Sequence, residues 1–173
     1  DHISDKCELA YSPFSSYFLG YLHLIPYIVR TSRKNHIQRA FSSQTLINSM
    51  LGFMKKIRVL SETKIIVRES TSVFKQLSGL KAKRYKLAYY IGYDKIDSII
   101  FQTEIMKRNL LEEVPRLKNK SGLFVLKNPI NLEFIEEKSR EDLKLDSDKE
   151  FIVAAGRLVE VKGFDILIQS FNR

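Results

Sequence analysis

The residues best suited to chemistry lie near the end of the chain, between an apolar run and a helical pattern. Residues 151–155 read FIVAA, and Gly156, Arg157, Lys162 and Gly163 follow before helical apolar spacing resumes at Phe164. This order predicts a strand, a cationic loop and a helix. Two cations beside the free N–H groups of a helix N-terminus favour a phosphate or diphosphate. A nucleotide is therefore the first ligand that we expect.

A second candidate, Glu69, follows the β-branched run Ile65–Val67. Two interpretations stay open: a functional carboxylate at the exit of a strand, or a carboxylate paired with its neighbour Arg68. The three histidines, His2, His23 and His36, lack the spacing and the acidic partners of a metal site or a catalytic triad. A single cysteine permits no internal disulfide and favours a reducing compartment.

The elements that must position these residues alternate along the chain. Short apolar runs at residues 65–67, 98–101 and 123–126 predict strands. Helical spacing predicts helices that begin at Ser12 and Pro13, at Ser42 and Ser43, near Lys83, and at the N-cap Thr103. Pro26 and Pro115 are expected to end the first and the last of these helices. Short strands alternating with longer helices indicate an α/β fold with a parallel sheet.

Composition limits the class of protein. The 173 residues are 44% hydrophobic and 28% charged, and the formal net charge is +9, which draws the chain toward anionic partners. The longest apolar stretch, residues 11–29, is interrupted by polar residues and Pro26, and it falls short of the roughly 20 residues of a membrane span. A core helix is favoured there, with an interfacial helix as the alternative.

The segment 133–150 mixes acidic and basic residues densely and contains few apolar ones. It predicts a partly helical connection between two structural units. The strand and loop of residues 151–163 follow this segment, close to the end of the sequence.

Three motifs, taken in order, resemble a known enzyme family. They are Asp97–Glu104 (DSIIFQTE), Lys127–Asn131 (KNPIN) and Gly156–Ile168 (GRLVEVKGFDILI), which Gln169–Phe171 continues. The order and the sequences resemble the retaining GT-B glycosyltransferases of the group 1, or family four, type.

The resemblance implies a partial GT-B fold. Residues 1–127 would be the later part of the N-terminal, acceptor-side, Rossmann-like domain. Residues 128–150 would be the interdomain linker, with Asn128 at the crossing between domains. Residues 151–173 would be the first strand and the helix start of the nucleotide-sugar domain. The family's glycine-rich loop has no counterpart in the sequence, and its E-x7-E element would lie beyond Arg173. The chain alone is therefore expected to be inactive.

The resemblance also implies a reaction, in which a sugar moves from a nucleotide-diphosphate donor to an acceptor hydroxyl with retention. Arg157 and Lys162 would stabilise the departing diphosphate without a metal ion or another cofactor. Gly156 and Gly163 would let the backbone approach the donor. Glu69 would stand near the sugar, where many relatives have a histidine.

The setting implied is the cytoplasm, with a glycan or lipid-linked acceptor in bacterial polysaccharide, lipopolysaccharide or glycolipid synthesis. Basic stretches at 30–39 and 81–86 would suit anionic lipid on the inner face of the cell membrane. Two alternatives stay open: a non-catalytic scaffold, and a basic module that binds anionic surfaces or nucleic acid. Because the sequence shows no recognition helix, stacking platform or zinc site, no specific nucleic acid is expected.

Overall fold

The computed structural model describes residues 7–141 and 152–171, without the side chains of Tyr17, Phe18 and Gln76. The chain divides into two compact units, residues 1–129 and 130–173.

The first unit alternates helices with short strands. Its elements are α1 (Tyr17–Asn35), β1 (Arg39–Ser42), α2 (Thr45–Lys56), β2 (Lys64–Glu69), α3 (Val73–Gln76), α4 (Gly79–Gly92), β3 (Ser98–Phe101), α5 (Glu104–Glu113) and β4 (Leu123–Val125). The four strands form one parallel sheet in the order β1-β2-β3-β4. This architecture confirms the predicted α/β, Rossmann-like fold.

The two faces of the sheet differ in burial. Along β2, Ile65, Val67 and Glu69 are buried, whereas the alternate residues are not. The buried face packs against helices α2, α4 and α5 in one apolar core, which includes Leu51, Met54, Tyr89, Tyr93, Ile99, Phe101 and Leu110. On the other face, Phe41 and Phe124 are 63% and 50% exposed. Side-chain alternation along the strands therefore places Glu69 on the core side.

Helices α2 and α4 approach each other at two glycines. A Cβ atom built on Gly52 would lie 2.0 Å from the carbonyl oxygen of Gly92, and one built on Gly92 would lie 2.0 Å from that of Ser49. The Ser49 hydroxyl also donates to the Ala88 carbonyl at 2.6 Å. This backbone contact fixes the distance between the two helices that cover Glu69.

The first two helices differ from their predicted bounds. Helix α1 begins at Tyr17 rather than at Ser12, and it continues through Pro26 to Asn35. Beyond the proline, Ile28 and Val29 pack against the core, and this packing outweighs the hydrogen bond that proline removes. Ser42, predicted as a cap, is the last residue of β1, and α2 begins at Thr45.

The bounds of the later helices lie closer to those that the sequence predicts. Helix α4 begins at Gly79, four residues before the predicted Lys83. The predicted N-cap is confirmed, because the Thr103 hydroxyl accepts a hydrogen bond from the Met106 N–H at 3.2 Å. Helix α5 ends at Glu113, before Pro115. None of the described helices is long and apolar enough to cross a membrane.

The second unit contains α6 (Leu132–Ser139) and α7 (Phe164–Phe171), with a 3-10 turn at Glu160–Lys162. The strand predicted at 151–155 is wrong for residues 152–155, which have no regular structure. A strand needs a neighbouring strand for its backbone hydrogen bonds, and the described residues of this unit contain no strand that could supply them. Residues 142–151 lie outside the described residues.

Candidate functional site

The carboxyl ends of the four parallel strands meet at one edge of the sheet. Gln44, Glu69 and Thr103 lie at or just after the ends of β1, β2 and β3, and Asn128 follows β4. Open α/β sheets bind ligands at this edge. The predicted site residues Glu69 and Asn128 therefore belong to the edge where a ligand is expected.

The Glu69 carboxylate is only 3% exposed and accepts three hydrogen bonds. The Asn48 Nδ2 donates to Oε1 at 3.1 Å, and the Tyr89 hydroxyl donates to Oε2 at 2.8 Å. The Tyr93 hydroxyl donates to Oε1 as well. Among the described residues, Glu69 forms no ion pair with Arg68. The interpretation of Glu69 as a paired strand end is therefore wrong.

Burial governs the electrostatics of this cluster. Burial raises the pKa of Glu69 above its ordinary value of 4.5, and the hydrogen bonds from Tyr93, Tyr89 and Asn48 act in the opposite direction. Burial and the nearby carboxylate also raise the pKa of Tyr89 and of Tyr93. Both tyrosines therefore keep their protons and remain donors to Glu69.

Asn48 completes the cluster from α2. Its side chain is fully buried, and its Oδ1 has no hydrogen-bond partner among the described residues. The Asn48 Nδ2 also lies 3.2 Å from the Tyr93 hydroxyl. The amide is therefore held by its donor side alone, through contacts to β2 and to the residue that follows α4.

Arg68 leaves β2 on the face opposite Glu69. Its Nη2 donates to the Oδ1 of Asn128, 60 residues later in the chain. This bond ties the exit of β2 to the Asn128–Pro129 segment. Arg68 thus fixes the predicted site residue Asn128 beside the carboxyl edge.

The cationic loop of the second unit folds back on its own glycine. A Cβ atom built on Gly156 would lie 3.3 Å from Cζ of Phe164 and 3.7 Å from Cδ of Lys162. Gly163 has a φ of 61°, in the left-handed region that favours glycine. The structure therefore brings Gly156, Lys162 and Gly163 together at the start of α7.

Arg157 and Lys162 are exposed, and neither side chain has an ion pair or a hydrogen bond with another described residue. Glu160 lies in the loop and Asp165 in the first turn of α7, so residues 156–165 carry two cations and two carboxylates. An anion would be recognised here by the placement of the two cations rather than by a net positive charge.

The sequence did not reveal Asn48, Tyr89 and Tyr93 as partners of Glu69. The sequence does indicate that the two tyrosines can share a partner, because a spacing of four residues places both on one face of a helix. It does not show which strand that face meets. The contact depends on the close packing of α2 and α4 at Gly52 and Gly92.

No family model fits the chain, and no solved structure matches it significantly. The chain is 30% identical over 125 residues to an uncharacterized glycosyltransferase of Methanocaldococcus jannaschii. The matched part covers 69% of this chain and 30% of that protein. The similarity supports a relation to glycosyltransferases in general.

Proposed function

We propose that the chain is part of a glycosyltransferase that moves a sugar from a nucleotide-diphosphate donor to the hydroxyl of a glycan or lipid-linked acceptor. The M. jannaschii relative and the Rossmann-like sheet support this class of enzyme. The observation that carries the proposal is the loop at Gly156–Gly163. There the Lys162 side chain packs beside Gly156, and two cations have no described protein partner.

The chemistry proposed for this loop is stabilisation of a leaving group. As the bond between the anomeric carbon and the diphosphate breaks, negative charge grows on the diphosphate oxygens. Arg157 can bind two of these oxygens at once, and Lys162 acts as a movable point charge. The acceptor oxygen bonds to the anomeric carbon and gives its proton to the departing diphosphate. In this proposal the enzyme has a GT-B arrangement, needs no metal ion and retains the anomeric configuration.

Glu69 enters the proposal as a positioning residue. Both of its carboxylate oxygens accept hydrogen bonds within the fold, and the side chain faces the core. A carboxylate in this state holds the exit of β2 against α2 and α4. The polar residues that follow it, Ser70 and Thr71, are thereby fixed at the carboxyl edge of the sheet.

Titration of the chain with a nucleoside diphosphate tests the cationic loop. We expect Arg157→Gln and Lys162→Gln each to weaken binding about 10- to 100-fold, because each variant removes one charge-assisted contact. Arg140→Gln is the matched control, since Arg140 is an exposed cation of the same unit without an ion pair among the described residues. Equal binding by all three variants, or no binding by the unmodified chain, would overturn the proposal.

We also propose that α4 rests on an anionic membrane surface on the cytoplasmic side. Leu80, Leu87 and Ile91 are exposed and follow helical spacing, and Lys81, Lys83 and Arg84 flank them. Exposed apolar side chains beside cations suit the interface of an anionic bilayer.

Vesicle sedimentation at physiological salt tests this surface. Vesicles with anionic lipid should retain the protein, whereas neutral vesicles should not. Leu87→Ser combined with Lys83→Gln should release it. Ile105→Ser, which changes an exposed apolar residue of α5, should not. Equal retention by both kinds of vesicle would contradict the electrostatic part of the proposal.

A further inference from the structure

A pocket of about 340 Å³ lies beside the carboxyl end of β1. It lies between the segment that precedes α1, the first half of α1, and the start of α2. A volume of this size is within the range of small-ligand sites. None of the residues proposed for the donor loop lines this pocket.

Aromatic rings form part of the pocket wall. The rings of Phe14 and His23 meet edge to face with centroids 5.6 Å apart. His23 stacks on Tyr27 at 6.5 Å, and Tyr11 contributes a further, largely exposed ring. The pocket therefore presents flat apolar surfaces that a ligand can stack against.

Polar groups without partners lie beside these rings. The hydroxyls of Ser15 and Ser16 and the side-chain amide of Gln44 line the pocket. None of these three side chains has a hydrogen bond within the described part of the chain. Together they offer hydrogen-bond donors and acceptors that a ligand can satisfy.

Charge is missing from the pocket wall, although the chain carries a net charge of +9. Among the lining residues that the structure describes, none is Asp, Glu, Lys or Arg. A phosphate or carboxylate ligand would find no cation here. A neutral ligand is therefore favoured.

From these three properties we infer that the pocket binds a neutral saccharide, and this inference rests on the proposed glycosyltransferase function by assigning the pocket to the acceptor. The C–H face of a sugar ring packs on aromatic side chains, and its hydroxyls pair with serine and glutamine. An alkyl chain would also fill the apolar part. It would displace water from the exposed Ser15, Ser16 and Gln44 side chains without replacing the hydrogen bonds to that water, and burying such groups unpaired costs free energy.

Saturation-transfer NMR on the full chain tests the inference with octyl β-glucoside as the probe, because this molecule carries both a sugar and an alkyl chain. The methyl glycosides of glucose, galactose and mannose complete the panel. We expect saturation to reach sugar protons in at least one glycoside. Transfer confined to the octyl chain, or no transfer to any probe, would overturn the inference.

Variants locate the binding. Tyr27→Ala and Gln44→Ala should each weaken saccharide binding at least fivefold. Phe53→Ala, outside the pocket, is the matched control, because Phe53 is 42% exposed and Tyr27 is 39% exposed. Circular dichroism on each variant checks that it is folded. Equal weakening by the control would place the sugar elsewhere and overturn the assignment.

Binding of a nucleoside diphosphate tests the donor loop independently of the pocket. If no saccharide binds while a nucleoside diphosphate does, only the assignment of the pocket is contradicted. Loss of diphosphate binding while the saccharide still binds would contradict the donor loop, and the pocket would remain a saccharide site.

Discussion

At the scale of a single residue, the buried carboxylate of Glu69 makes the stability of the fold depend on pH. Its carboxylate is buried among neutral donors, and no cation among the described residues compensates its charge. Burial of an ionised group without a counter-charge is unfavourable, so the fold shifts the group toward its protonated form. The cluster therefore links the packing of α2 and α4 to the pH of the solution.

Glu69→Gln should change how stability depends on pH. Since the pKa of Glu69 is raised in the folded state, folded protein holds the proton more tightly than unfolded protein does. The contribution of Glu69 to the free energy of unfolding is thus fully present below about pH 4.5 and falls as the pH rises through the folded-state pKa. Urea unfolding from pH 4 to pH 8 should show this fall in the unmodified chain and not in Glu69→Gln.

Glu62→Gln is the control for that series. Glu62 is exposed and has no ion pair among the described residues, so its removal should leave the pH profile unchanged. Parallel profiles for the unmodified chain and Glu69→Gln would show that the carboxylate does not carry the pH dependence.

The donors to Glu69 are open to a second test. Tyr93→Phe removes one hydroxyl and leaves a buried carboxylate oxygen with fewer partners. We expect a loss of about 1–3 kcal/mol in the free energy of unfolding. Tyr85→Phe should change it little, because the Tyr85 hydroxyl has no hydrogen bond within the described part of the chain. Chemical denaturation at pH 7 measures both.

At the scale of elements, the contact between α2 and α4 is the most constrained feature. Gly92→Ala would place a methyl group 2.0 Å from the Ser49 carbonyl oxygen, so one helix must move. We expect a loss of about 1–3 kcal/mol or more in the free energy of unfolding. Gly20→Ala in α1 is the matched control. Its nearest neighbour, the Ser12 Oγ, would lie 3.6 Å away, and alanine favours a helix by about 0.5–1 kcal/mol. Thermal unfolding of both variants should therefore give shifts of opposite sign.

The sequence predicted elements well where the determining forces are local. Thr103 could be recognised as a cap because its hydroxyl bonds to a backbone N–H only three residues away. The three later strands could be recognised because β-branched runs favour extended chain. The helix end predicted at Pro26 is wrong because Ile28 and Val29 pack against the core and sustain the helix beyond the proline. This packing is a tertiary effect that the local sequence does not show.

Only part of the candidate site could be predicted from the sequence, because some of its contacts are local and others are tertiary. The glycines and cations of the loop at 156–163 are neighbours in sequence, and their spacing could be read directly. The partners of Glu69 and the wall of the aromatic pocket come from different elements. Which side chains meet there depends on helix packing that no local pattern encodes.

At the scale of the whole molecule, burial differs sharply between the two units. The first unit holds the buried core, with Ile65, Val67, Ile99 and Phe101 inaccessible to solvent. The helices of the second unit, α6 and α7, contain no buried residue. Because helices without buried apolar contacts are marginal in water, the two units should differ in local stability.

Hydrogen exchange on the intact chain measures this difference. Amides of β2 and β3 should exchange slowest, at rates set by global unfolding, whereas those of α6 and α7 should exchange close to unprotected rates. If the loop at Gly156–Gly163 binds a nucleoside diphosphate, saturating ligand should slow exchange in α7, since binding favours the folded loop and helix over their open forms. The Arg157→Gln variant should remove that protection and leave β2 and β3 unchanged. Strong protection of α7 without ligand would instead show that the helix is stabilised by contacts other than those to the donor.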